Sequence, residues 1–349
     1  MNAPKLRFKE FNDNYLRLKY KDVLKIKSGK DQKQVECENG IYPILGTGGQ
    51  IGKTNSFLYD KPSVLIGRKG TINKPQYMET PFWTVDTLFY SHIYEPNIPK
   101  YLFYSFQNVN WKKYDESTGV PSLSSSTIEG VDCNIPFKEE QLKVANFLSL
   151  LDKKIELQSK KIEDLKLFKK GLSTTIFNSL RDFEEYRLGK ICNITTGKLD
   201  ANAMIDNGKY RFYTCAKEYS LIDKYAFDTE ALLISGNGAY VGYIHYYKGK
   251  FNAYQRTYVL DNFSQNIQFI KCYLEENLAK RINSEKKEGN TPYIVLSTLS
   301  DMVIKIPSKE NQIKISNIIN CHNKKIELEE NKLLKLQELK KGLMQSMFV

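Results

Sequence analysis

Lys153-Lys-Ile-Glu-Leu157 returns at an offset of 171 as Lys324-Lys-Ile-Glu-Leu328, and Lys169-Lys-Gly-Leu172 returns at the same offset as Lys340-Lys-Gly-Leu343. Both pairs lie in proline-free stretches, 139–178 and 310–348. In the first stretch Leu148, Leu151, Ile155, Ile162, Leu165, Leu172 and Ile176 keep the three- and four-residue steps of a heptad seam. Adding 171 gives Ile319, His322, Ile326, Leu333, Leu336, Leu343 and Met347. The skipped seam positions are polar in both stretches, Gln158 with Glu329 and Lys169 with Lys340, as register selection would require. Heptads over roughly 40 residues predict two helices, each about 60 Å long at 1.5 Å per residue. One face of an ordinary bundle helix is the alternative reading of the same spacing.

The repetition extends outward from the helices. Ile135-Pro136 matches Ile306-Pro307, and Gln141 matches Gln312. At an offset of 168, Gly40-Ile-Tyr-Pro-Ile-Leu45 matches Gly208-Lys-Tyr-Arg-Phe-Tyr213, and Leu65-Ile-Gly-Arg-Lys-Gly70 matches Leu233-Ile-Ser-Gly-Asn-Gly238. A shared order at nearly constant spacing means two copies of one unit. Within each copy, 15–137 and 186–307 read as mixed structure, with strand-like runs such as Ser63-Val-Leu-Ile66, Phe82-Trp-Thr-Val85 and Ala231-Leu-Leu-Ile234. Asn97–Tyr104 and Ile267–Leu274 read as helices. The expected fold is α/β: two globular mixed α/β domains separated by two long antiparallel coiled-coil helices, related by a pseudo-two-fold internal repeat. The expected division is 1–137 and 181–308 for the domains, with 138–180 and 309–349 for the helices. Paired this way, the helices would set the distance between the domains.

Composition narrows the function. The 349 residues carry 52 Lys+Arg against 40 Asp+Glu, a formal charge of +12. That excess suits a polyanionic partner, although only eight of the basic residues are Arg and Lys richness also follows from genome composition. No apolar run approaches the ~18 residues of a membrane span, and Met1–Phe11 lacks a signal peptide's apolar core. Cys37, Cys133, Cys192, Cys215, Cys272 and Cys321 are scattered, with no zinc-ligand spacing. A reduced, cytoplasmic protein without a metal site or membrane contact is expected.

Three stretches imitate catalytic motifs. Thr47-Gly-Gly-Gln-Ile-Gly-Lys-Thr54 ends like a phosphate loop, but Thr replaces its first glycine and no helix-forming sequence follows. Asn290-Thr-Pro-Tyr293 has Thr in place of the first of the two prolines of an adenine-methyltransferase clamp, and its repeat partner is Gly119-Val-Pro-Ser122. Gly236-Asn-Gly-Ala-Tyr-Val-Gly242 has the wrong glycine spacing for a dinucleotide or S-adenosylmethionine loop. His92, His245 and His322 are too dispersed for a triad, and His322 on the seam reads as structural.

Loops of both copies instead carry residue types that bind nucleic acid. Copy one offers Lys30, Arg68, Lys69, Lys74, Lys112, Lys113, Tyr114, Ser117, Ser122 and Ser124. Copy two offers Lys198, Asn237, Tyr240, Tyr254, Gln255, Arg256, Lys280, Arg281, Lys286, Lys287, Asn290 and Tyr293. Lys and Arg neutralise phosphates or read guanine, while Asn and Gln read adenine. A tight turn with solvated charge is the other reading of Gly67-Arg-Lys-Gly70. The comparison between copies carries more weight. The helices and the Ile-Pro junctions repeat, whereas Gly-Arg-Lys-Gly stands against Ser-Gly-Asn-Gly and Val85-Asp86 against Gln255-Arg256. One frame with two contact chemistries points to an asymmetric, bipartite sequence reader.

Over essentially its whole length the chain resembles the specificity subunits of type I restriction–modification systems. The resemblance rests on Pro4-Lys-Leu-Arg-Phe-Lys-Glu-Phe11, Tyr186-Arg-Leu-Gly-Lys190, Leu65–Gly70 and the duplicated order from Ile135-Pro136 through Gln141 to Lys169-Lys-Gly-Leu172. It implies two target-recognition domains on antiparallel spacer helices, each reading half of a split site in double-stranded DNA. It further implies two methyltransferase subunits that modify adenine N6 and two restriction subunits that translocate and cut. S-adenosylmethionine, ATP and magnesium would then belong to those partners, and this chain would be non-catalytic. The rivals are a DNA methyltransferase or nuclease acting alone, and a decoy or scaffold that binds the methyltransferase without reading DNA.

Overall fold

A strand buried on both faces organises each domain. In the computed structural model, which describes residues 3–285 and 293–348, Ser63–Gly67 is such a strand. Val64 and Ile66 face one core with Leu24, Phe89, Tyr101 and Trp111, while Leu65 faces a second with Ile44, Phe82 and Leu88. The period of two along a strand sends alternate side chains to opposite faces, so a short continuous apolar run becomes a central strand. Phe227–Ser235 repeats the arrangement, with Leu232 and Ile234 on one side and Ala231 and Leu233 on the other.

The chain forms two compact units, and each is described by itself. The first joins the residues up to Ser159 with those from Asn331 onward. Its four-stranded antiparallel sheet runs Leu24–Lys27, Leu88–Ile93, Ser63–Gly67, Gln76–Met78. A three-stranded sheet places Tyr42–Gly46 between Gly49–Thr54 and Trp83–Thr84. The phosphate-loop mimic is therefore a β-hairpin arm without a following helix. The second unit, Lys160–Glu330, has one six-stranded sheet in the order Asn193–Thr196, Thr257–Asp261, Phe227–Ser235, Ile244–Ala253, Tyr210–Tyr213, Ser220–Ile222. Helices Pro99–Asn108 and Ile267–Glu285 contribute Tyr101, Leu102 and Phe106, and Phe269, Ile270 and Leu274, to the respective cores. Antiparallel ribbons, Leu16–Lys19 with Asp132–Ile135 and Glu184–Arg187 with Val303–Ile306, tie each domain's entrance to its exit.

The long helices span Lys138–Asn178 and Lys309–Met347, and the compact units cut across both. In the first unit Val144, Ala145 and Leu148 pack with Met344, Met347 and Phe348, and Asp152 meets Lys340 at 2.5 Å. In the second, Ile176 and Phe177 share a core with Ile315 and Ile319, and Lys161 meets Glu329 at 2.9 Å. Rising numbers on one helix meet falling numbers on the other, so the segments run antiparallel within each unit. The seam residues Leu148, Leu151, Ile162, Ile319, Ile326 and Met347 are buried, and Ile155, Leu165, Leu172, Ile176, Leu333, Leu336 and Leu343 are half-buried. Full burial of one such side chain stabilises by about 1.5–3 kcal/mol. Half-buried His322 packs its ring 5.2 Å from Phe168.

The repeated glutamine joins helix to domain. Buried Gln141 accepts from the Ile98 backbone N–H at 2.8 Å and donates to Pro136 O at 2.9 Å. Gln312 accepts from the Asn266 N–H at 3.0 Å and donates to Pro307 O at 2.9 Å. One carboxamide thus satisfies the backbone entering the domain helix and the proline junction entering the long helix. Gln141→Leu and Gln312→Leu each leave a buried donor and a buried acceptor unsatisfied, at about 1–3 kcal/mol per group. Chemical denaturation is expected to show each variant roughly 2 kcal/mol or more less stable than the wild type.

Candidate nucleic-acid interface

Loops of each domain gather at one end of its strands, held by backbone hydrogen bonds. In the first unit the Arg68 N–H donates to Thr87 O, Gly70 N–H to Pro121 O, Leu123 N–H to Arg68 O and Lys30 N–H to Thr84 O, all between 2.8 and 2.9 Å. In the second, Gly236 N–H donates to Arg256 O, Gln255 N–H to Leu199 O and Tyr254 N–H to Tyr213 O, each at 2.9 Å. The two frames share key bonds: Arg68 N–H to Thr87 O matches Gly236 N–H to Arg256 O, and Leu123 N–H to Arg68 O matches Ile294 N–H to Gly236 O. Lys69 bridges Ser122 as Asn237 bridges Tyr293. Gly70 and Gly238 both adopt positive φ, 96° and 79°, so the last glycine of each loop is retained where its neighbours change. Gly29 and Gly197 precede Lys30 and Lys198, and a Cβ at either would fall about 2 Å from a carbonyl oxygen, of Val85 or of Ala253.

This geometry corrects one alignment made from the sequence. Thr87 O and Arg256 O accept equivalent bonds, from the N–H groups of Arg68 and Gly236. The true counterpart of Gln255-Arg256 is Asp86-Thr87, one position beyond Val85-Asp86. A strand pair is fixed by its hydrogen-bond register, which a sequence offset cannot resolve to a single residue.

The first cluster brings together exposed Arg68 and Lys69 with Ser122 and Ser124 around a groove of about 650 Å³ lined also by Asp86, Thr87 and Glu116, with exposed Lys30 and Ser117 on the adjoining loops. The serines brace the loop. Ser124 caps helix Ser125–Gly130 by accepting the Thr127 N–H at 3.1 Å, and its hydroxyl donates to Glu116 Oε1. Asp115 Oδ1 accepts from the Ser117 N–H and hydroxyl and from the Ser122 N–H at 2.9–3.0 Å. The second cluster brings together Lys198, Asn237, Tyr240, Tyr254, Gln255, Arg256 and Tyr293. Gln255 Nε2 donates to Asp200 Oδ1 at 2.6 Å, whereas exposed Arg256 has no side-chain partner among the described residues. His245 Nε2 lies 2.9 Å from Ala216 O, and a carbonyl only accepts, so Nε2 carries the proton; burial holds this imidazole below its ordinary value.

Other sequence candidates lie apart from these contacts. Lys112, Lys113 and Tyr114 sit on the short turn Trp111–Tyr114, anchored by buried Trp111 donating to Phe106 O at 2.8 Å. Lys74 lines a cleft with the second long helix. Lys280 and Arg281 lie on helix Ile267–Glu285, paired to Glu276 at 3.1 Å and Glu285 at 2.7 Å. Lys286, Lys287 and Asn290 lie outside the described residues. Sequence reasoning passed over Lys217, whose ammonium sits 5.3 Å from the Tyr240 ring. It also passed over the Asp115–Glu116 brace, which the spacing of Asp115 to Ser117 signals as a side-chain-to-backbone turn.

Among the described residues no three His, Cys, Asp or Glu side chains gather as metal ligands, and no helix is long and apolar enough to cross a membrane. Burial pushes the Cys133 and Cys192 thiols up to about 12, so these cysteines serve as core.

Known proteins share this duplicated architecture. The family model for the type I restriction modification DNA specificity domain matches the chain twice, over residues 12–167 and 181–338. The chain therefore belongs to the type I restriction–modification DNA specificity family. It is 35% identical over 165 residues to the EcoDI specificity subunit of Escherichia coli, an alignment covering 47% of this chain and 36% of that protein. It is 22% identical to the putative type I specificity subunit S.MgeORF438P of Mycoplasma genitalium, covering 99% of this chain and 96% of that one. The crystal structure of a type I restriction–modification S subunit from M. genitalium superimposes with a TM-score of 0.73 at 20% identity, over 99% of both chains. The shared fold has two mixed α/β domains and two long helices.

The loop brace yields a pH dependence. Hydrogen bonds from the Ser122 and Ser117 N–H groups hold the Asp115 carboxyl below its ordinary value of 3.8. A lowered folded-state value means that the brace contributes fully above that ordinary value and is lost as pH falls through the lowered one. Hydrogen exchange at the Ser117 and Ser122 amides is expected to lose protection on acidification below pH ~3.8, and Asp115→Ala to lose it already at pH 7.

Proposed function

We propose that this chain is the DNA-reading subunit of a type I restriction–modification complex and that each copy's loop cluster reads one half of a split, asymmetric site. The carrying observation is the contrast between a matching loop frame and its unlike contents. Lys69 stands where Asn237 stands, Ser122 where Tyr293 stands and Thr87 where Arg256 stands. Side chains of different hydrogen-bonding capacity on one frame suit different bases.

Exposed apolar side chains of the long helices support a scaffolding role. Leu142 and Ile313, Phe147 and Ile318, Leu157 and Leu328, and Phe168 and Leu339 are all exposed, and each pair keeps the offset of 171. Exposed apolar side chains beside the seam thus recur at the repeat offset, which suits two copies of one partner, the methyltransferase subunit. In this reading the restriction subunits join the same assembly, S-adenosylmethionine, ATP and magnesium are held by those partners, and the complex works on cytoplasmic DNA without catalysis by this chain.

Co-expression with the methyltransferase subunit, followed by genome-wide mapping of N6-methyladenine, tests the reading. The expected result is one gapped motif with a methylated adenine in each half. Arg68→Ala with Lys69→Ala should relax or weaken the first half alone, and Arg256→Ala the second half alone. Methylation by the purified chain without partners, or a motif indifferent to both sets of variants, would contradict it. For the scaffold, native mass spectrometry is expected to show a methyltransferase subunit lost with Leu157→Glu or Leu328→Glu, and unchanged stoichiometry would refute that role.

A further inference from the structure

The two copies differ at a second place, the cleft between each domain and the final stretch of a long helix. In the second unit this cleft, about 390 Å³, is lined by Lys166, Lys169 and Lys170 against Glu275, Glu276, Glu327 and Glu330. Its charges are answered internally: Lys166 meets Glu330 at 2.6 Å and Lys169 meets Glu275 at 3.9 Å. The corresponding helix positions in the first unit, at the offset of 171, are Gln337, Lys340 and Lys341. There the cleft is larger, about 590 Å³, and among the described residues no carboxylate lines it. Its walls hold Lys74, Lys340 and Lys341 together with carboxamides such as those of Asn73, Asn108 and Gln337.

Lys340 is engaged by Asp152 at 2.5 Å. Lys74 and Lys341 are exposed and have no ion-pair partner among the described residues, and Lys112 and Lys113 lie just beyond the cleft's Asn110. The cleft follows the first reading loop closely along the chain. Lys69 of the loop cluster and Lys74 of the cleft are five residues apart, at most about 17 Å of extended chain. A cleft of ammonium and carboxamide donors whose one acidic partner, Asp152, is taken by Lys340 matches a sugar-phosphate backbone.

We infer that this cleft holds the phosphodiester backbone of duplex DNA beside the first half-site, with Lys74 and Lys341 as its phosphate contacts; the inference rests on the proposed reading of DNA by the adjoining loops. The contact is sequence-independent and belongs to one copy alone, so the first half-site is held more strongly through its backbone than the second. One carrier is a long-helix residue, distant in sequence from either reading domain.

The test uses the full chain assembled with its methyltransferase subunit and a duplex carrying the mapped motif, with affinity measured across a range of salt concentrations. Each phosphate contact contributes about 0.9 to the slope of log affinity against log salt, so Lys74→Gln with Lys341→Gln should lower the slope by about 1.8. Preference over a scrambled duplex should be unchanged. Neutral methylphosphonates placed singly beside the first half-site should weaken the wild type at one or two positions and leave the double variant indifferent. Lys166→Gln with Lys170→Gln, in the carboxylate-filled cleft, should leave the slope as it is. An unchanged slope for the Lys74/Lys341 variant would overturn the inference, as would an unchanged slope with weakened subunit assembly, which would assign the cleft to an acidic segment of a partner. Failure of the wild type to prefer its motif would count against the recognition reading instead, and the slope difference is read independently of it.

Discussion

The antiparallel seam between the two long helices is the constraint on which the rest of this molecule depends. Each compact unit takes the opening half of one helix and the closing half of the other, so neither copy of the repeat completes its own core. In the first unit Met344, Met347 and Phe348 fill the core beside Tyr101, and in the second Phe177, at the position equivalent to Phe348, packs against Phe269 and Tyr273. Apolar burial drives this exchange, while the polar seam positions hold its register. Lys340 finds its carboxylate on a long helix, at Asp152, and its counterpart Lys169 finds one on a domain helix, at Glu275. The same charge is answered from a different element in each copy.

On this frame the two copies keep what positions loops and change what the loops display. The ribbon at each domain entrance, the glutamine bonded to the Ile-Pro junction and the positive-φ glycine of the contact loop all recur. Such features satisfy buried backbone groups or permit backbone conformations that other residues strain to adopt, so they constrain side chains tightly. Solvent-facing loop tips carry no such demand. Differences therefore accumulate where a ligand would be touched and leave the core unaffected.

Much of this was legible in the sequence because it is periodic. Heptads and a fixed offset disclose helices, seam and duplication without reference to tertiary contacts. Gln141 and Gln312 were visible as a repeated pair, but their bonds to Ile98 and Asn266 were not, since those bonds join positions far apart along the chain. Residue chemistry does not reveal which side chains also serve the fold: Ser124 caps a helix, and Lys280 and Arg281 pair with glutamates one turn away. The register slip at Asp86-Thr87 has a related cause, because the loops between matched strands differ in length by a single position. Neither the cleft at Lys74 nor its contrast with the second copy could be read from composition, because helix and domain segments from opposite ends of the sequence build it.

In the proposed reading the mixed domains alone choose the bases while the helical frame is indifferent to them. The most direct measurement replaces residues 15–137 with residues 186–307 in the full chain, leaves both long helices in place, and maps the methylated adenines produced with the methyltransferase subunit. The account predicts a motif containing the second half-site twice and the first not at all. Persistence of the original first half-site in that motif would contradict it.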